Sequence, residues 1–134
     1  MQKNSPGWWF WIAIVGSLSA ALLGVRAALP LAIALSAAQT ATSAIRLRSP
    51  FAFPVQVRAG YLAMLAAGCW PPLSALHWIQ AVGGWTMIVA DYCLLARCLS
   101  LAPWNRRGPL SGALLRATFL SPPTPGCFMD RRPA

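Results

Sequence analysis

An all-α integral membrane protein, with four short transmembrane helices in an antiparallel bundle and a basic, proline-rich C-terminal tail, is the fold class the sequence predicts. Three observations carry that expectation. Of 134 residues, 57% are hydrophobic and 10% are charged, whereas an ordinary soluble domain carries about a quarter charged residues. The apolar residues gather into four long runs. The cations, ten arginines and Lys3 against the two acids Asp91 and Asp130, punctuate those runs or follow the last one. With a mean hydropathy of +0.56, the composition excludes a disordered chain, a disulfide-stapled secreted module and an ordinary globular enzyme.

The first run, from Trp8 to Leu23, has no charge and closes at Gly24-Val25-Arg26, which predicts a helix over about 8–24. The second starts near Pro30, whose missing N–H suits a first turn, and ends at Ile45 before Arg46-Leu47-Arg48-Ser49-Pro50. The third covers about 55–70 and stops at Pro71-Pro72, and the fourth covers about 73–96, ending beside Arg97. Runs of about 16–23 residues at 1.5 Å per residue span roughly 24–35 Å as helices. Strict polar/apolar alternation is missing, so barrel strands are excluded and helices remain. Residues 1–100 therefore read as a transmembrane domain and 101–134 as a cytoplasmic tail. In the tail, Pro103, Pro109, Pro122, Pro123, Pro125 and Pro133 preclude a fifth span. The spacing Leu110, Leu114, Leu115 and Phe119 suggests a short interfacial helix over 110–120.

Charge placement gives the orientation. Lys3, then Arg46 and Arg48 with Arg58 just beyond, then Arg97 and the five arginines after it, all fall on one side of a four-span chain. The first connection has only Arg26, and the third has no charge. Arginine and lysine accumulate on the cytoplasmic side, so both termini are expected there, in the inner membrane of a bacterial host. Trp8, Trp9, Trp11 and Phe10 read as an aromatic belt at that face, and Trp70 and Trp78 as marks of the opposite one. A cleaved signal peptide is the competing reading of the start, with Lys3 as its basic segment and Ser19-Ala20-Ala21 as the cleavage region. Three tryptophans and an apolar run that continues to Leu23 argue against it.

A net charge of +9 invites a nucleic-acid reading, but no run of 5–8 cations or basic face supports one. The expected partners are the bilayer, anionic headgroups contacted by Arg106, Arg107 and Arg116, and a larger membrane protein or a second copy of the chain.

Few residues can carry chemistry. In the fourth run, His77, Gln80, Gly84 and Asp91 are offset by three, seven and fourteen residues, within about 60° on one helical face. Such a stripe faces the interior of a bundle, either lining a path or packing helices together, and packing is the expectation here. Ser36, Gln39, Thr40 and Ser43 form a matching small and polar surface on the second helix. Asp91, the one acid within a span, requires a partner, a proton or water, and Arg58 at the start of the third helix is expected to pair with it. His77, placed near the outer end, is expected to meet water or a headgroup. One histidine without neighbouring carboxylate or thiol ligands supports neither metal nor haem. Cys69, Cys93, Cys98 and Cys127 show no metal spacing and no pair on the oxidising side. No catalytic grouping, metal or cofactor is expected. The role that remains is non-enzymatic, an accessory or assembly subunit packed against a larger membrane partner. The alternative is a small transporter or pore that uses the stripe of the fourth helix.

Overall fold

The computed structural model describes residues 5–106 and 108–123. Among them the chain is all-helical, with six α-helices and no strand. Helix α1 spans Pro6–Leu22, α2 Ala28–Leu47, α3 Phe53–Gly68, α4 Ala75–Ala90, α5 Leu94–Ser100 and α6 Gly112–Leu120, and a single 3-10 turn at Pro71–Leu73 precedes α4.

Local chemistry explains the ends. Ser5 caps α1 by accepting from the Trp8 N–H at 3.2 Å, with Pro6 in the first turn. Gly24, at φ 102°, closes the same helix. There the Val25 N–H reaches the Ala20 carbonyl and the Gly24 N–H that of Ala21, both at 3.0 Å, a Schellman end that glycine adopts without steric cost. Ser111 caps α6 by accepting from the Leu114 N–H at 3.2 Å.

The first four helices close a ring in which each packs on the next and α4 returns to α1. Connections of a few residues between successive members favour this antiparallel arrangement. Its core centres on Ile14, Val15, Leu18 and Leu65, all fully buried. Trp11 packs edge-on against Tyr61 with ring centroids 5.0 Å apart. Trp11 therefore belongs to the core and not to the expected aromatic belt, because it turns onto the face that carries Val15 and Leu18. Trp9 and Phe10 are exposed, as are Trp70 and Trp78.

The largest departure from the sequence reading is in the fourth run. The continuous helix expected over 73–96 stops at Ala90, and α5 leaves at a bend of 98°. Asp91 ends α4 in the left-handed region (φ 53°, ψ 26°) with its N–H on the Thr86 carbonyl, a conformation that short polar Asp tolerates better than most side chains. Cys93 then caps α5, its sulfur accepting from the Ala96 N–H. By length and apolarity only α2 could cross a bilayer alone among the described residues, and α4 with α5 qualifies only as a broken pair. Helix α1, with 17 residues, is a shorter apolar helix.

Candidate functional site: polar groups inside the bundle

The stripe on α4 points inward. His77, Gln80 and Gly84 are all buried. The His77 ring, through Nε2, is 3.1 Å from the Leu65 carbonyl, and Gln80 donates through Nε2 to the Tyr61 carbonyl at 2.8 Å. Both carbonyls belong to α3, so the two side chains join α4 to α3 one turn apart. His77 is thus a buried cross-link and not the interfacial residue expected from its position, because Gly68 opens a space against its ring. A Cβ on Gly68 would lie 2.6 Å from His77 Nε2. Gly84 performs the same service for α1, with Val15 Cγ2 2.4 Å from where its Cβ would stand. The small residue and the two hydrogen-bonding side chains act as packing contacts, as the sequence suggested.

Asp91 does not share that stripe, since the helix ends before it. Nor does it pair with Arg58. The Arg58 guanidinium donates through Nη1 to the Pro54 carbonyl at 3.3 Å, its Nε is buried without a partner, and it faces α1 and α2. The bend after Ala90 carries Asp91 out of the α4 line that would have met it. A double-mutant cycle of Asp91→Asn with Arg58→Gln is accordingly expected to show a coupling near zero in detergent melts, and a coupling above about 0.5 kcal/mol would contradict this placement.

On α2, Ser36 and Gln39 are buried, and Thr40 is half-buried. The Thr40 hydroxyl bonds back to the Ser36 carbonyl at 2.8 Å and the Ser43 hydroxyl to that of Gln39 at 2.6 Å, so both satisfy themselves within their own helix. Gln39 is different, since neither its amide nitrogen nor its amide oxygen has a partner.

A cavity of about 220 Å³ lies between α3, α4 and α5, with Trp11, Tyr61, Gln80, Met87 and Cys93 among its walls. The Tyr61 hydroxyl and Gln80 Oε1 are buried there without partners. No protein-family model, curated protein or solved structure matches the chain.

Sequence reasoning missed Arg97, which it took for a marker of the cytoplasmic end. Arg97 is 2% exposed. It donates through Nη1 to the Thr118 carbonyl and the Ser121 hydroxyl and through Nη2 to the Pro122 carbonyl, while its guanidinium lies 4.1 Å from the centroid of the Tyr92 ring. The Tyr92 hydroxyl donates to the Phe119 carbonyl at 2.9 Å. Together they hold the carbonyl-rich end of α6, where a cation is favoured by the helix dipole. The C-terminal helix is docked on α5, with Thr118 buried and Arg116 exposed. Arg106 is half-buried and Arg107 lies outside the described residues. Cys127 does too.

Proposed function

We propose that the chain is an integral membrane protein whose four bundle helices all lie within the bilayer, with both termini cytoplasmic, and that it serves as a non-enzymatic accessory or assembly subunit for a larger membrane partner. The observation that supports this best is the inverted distribution of polarity. Trp78, Val82, Trp85 and Val89 make one outward stripe on α4 at i, i+4, i+7 and i+11, all exposed, while Gln39, His77 and Gln80 are inside. A water-facing surface rarely carries so extended an apolar face. Helices of 16 or 17 residues, as α1, α3 and α4 are, suit such a site through local thinning of the bilayer. The inward side chains of α4 hold α3 and α1, which leaves its outward stripe for lipid or a partner. In a bacterial host the compartment is the inner membrane. Arg106, Arg107 and Arg116 would then stand over anionic headgroups.

Reporter fusions after Arg48 and after Arg107 are expected to read cytoplasmic, and a fusion at Pro72 external; an external signal after Arg107 defeats the four-span topology. The accessory role is tested by size in mild detergent. A larger complex should form with the unaltered chain and be lost on Val82→Phe with Val89→Phe, whereas a chain that runs alone from its native membrane contradicts it.

The transporter reading retains one observation, the 220 Å³ cavity with the unpartnered polar atoms of Tyr61 and Gln80. Labelling of a chain whose sole cysteine is Cys93 by a membrane-impermeant maleimide, slowed by a small cavity ligand, would move that reading ahead.

A further inference from the structure

A second cavity, of about 330 Å³, opens at the end of the bundle where α1 begins, α2 ends and α3 begins. Phe10, Gln39, Thr42, Ser43, Arg46 and Arg58 line it, and among the described residues no carboxylate does. Its polar groups divide cleanly. Thr42 and Ser43 donate their hydroxyls to the Ala38 and Gln39 carbonyls of their own helix. Gln39, 3% exposed, keeps both amide atoms without a partner, and Arg58 keeps Nε without one. Arg46, at the rim, is exposed. Buried polar atoms that lack partners are costly in a folded chain, and here both residues that carry them line one space together with Arg46.

We propose that this cavity binds a phosphate ester anion, with the phosphate between Arg46 and Arg58 and Gln39 Nε2 donating to an ester or hydroxyl oxygen deeper inside. Several features favour that ligand over a bare halide or a carboxylate. Guanidinium groups match the geometry of phosphate oxygens. Gln39 lies two turns of α2 before Arg46, about 10 Å further along the bundle, which a single small ion does not span. Phe10 offers an apolar wall to the organic part. The anion comes either from a phospholipid headgroup or from a free phosphate compound. The cavity itself does not depend on the membrane reading; only the lipid source does, and the reporter fusions test that reading separately.

The test uses the full chain, purified in an uncharged detergent and stripped of lipid. Its melting is followed on addition of phosphatidylglycerol, of diacylglycerol with the same acyl chains, or of glycerol phosphate, with native mass spectrometry counting retained lipid. Phosphatidylglycerol is expected to raise the melting temperature and remain bound one per chain, and diacylglycerol to do neither. Arg46→Gln with Arg58→Gln should weaken binding roughly tenfold or more, the scale for losing charge-assisted hydrogen bonds, while Arg26→Gln, at the exposed first connection, should leave it intact. If the double variant fails to fold, Arg46→Gln alone gives the same reading from an exposed side chain. Gln39→Leu should melt higher than the unaltered chain without ligand and yet bind more weakly, a pair of opposite signs that a purely structural glutamine would not give. A full shift with glycerol phosphate assigns the free ester, and a shift with phosphatidylglycerol alone assigns the headgroup. Equal binding of diacylglycerol, equal binding by the arginine variants, or no shift with either phosphate source overturns the proposal.

Discussion

Adjacent glycines on α4 are expected to respond to alanine with opposite signs. Gly83→Ala meets nothing within 4 Å, so the gain in helix propensity is uncompensated and the bundle should gain up to about 1 kcal/mol. Gly84→Ala places a methyl 2.4 Å from Val15 Cγ2, and Val15 is fully buried in the core. A β-branched side chain in a helix has one strongly preferred rotamer, so either Val15 leaves it or α4 moves off α1. Overpacking of this kind costs about 1–3 kcal/mol, which exceeds the propensity gain. Val15→Ala in the Gly84→Ala background should recover part of that loss, with a coupling of about 1 kcal/mol or more. Unfolding in detergent for the five chains gives both results. A Gly84→Ala variant as stable as Gly83→Ala would mean that the α1–α4 contact is looser than described.

Arg97→Met should free α6 from the rest of the protein. The substitution keeps much of the apolar stem and removes the guanidinium that reaches Thr118, Ser121 and Pro122. Charge-assisted bonds contribute about 1.5–3 kcal/mol each, and α6 buries only Thr118 by itself. The Tyr92 hydroxyl adds one further bond, to the Phe119 carbonyl. Amide hydrogen exchange across 112–120 is expected to rise by orders of magnitude while that of α1 to α4 changes little. Arg116→Met, on the exposed side of the same helix, should stay within about 0.5 kcal/mol of the unaltered chain. Unchanged protection of α6 in Arg97→Met would show that the arginine is incidental to docking.

Much of the helical architecture could be read because its signals are local. Gly24 and Pro30 mark the first turn between helices, Ser49-Pro50 the second and Pro71-Pro72 the third, and each observed boundary of α1 to α3 lies within two residues of the expected one. The inward face of α4 was legible for the same reason, since His77, Gln80 and Gly84 obey helical periodicity. Periodicity failed at Asp91 because hydrophobicity does not report backbone hand. Val89, Ala90, Cys93 and Leu94 continue the apolar run, and only the tolerance of Asp for the left-handed region hinted at the break. Arg97 was illegible because a buried cation and a boundary cation look alike in one dimension. Its partners are two carbonyls and a hydroxyl more than twenty residues later, and every residue carries a carbonyl. Arg58 was misjudged through the assumption of a straight α4, which would have brought Asp91 to its level.

A ribosome delivers α1 before α2, yet α2 alone among the described helices has the length and apolarity to stay in a bilayer unaided. On the membrane reading, the nascent chain would hold its first helix at the translocon until the second arrives, and the two would partition as a hairpin closed by the Gly24 turn. Helices α3 and α4 would follow as another, stitched by His77 and Gln80 to the Leu65 and Tyr61 carbonyls. On that reading biogenesis would proceed by pairs, and a polar substitution in α2 would strand its predecessor as well as itself. The dependence runs backward along the chain, from the later segment to the earlier, so quality control would meet its first decision only once Leu47 has emerged.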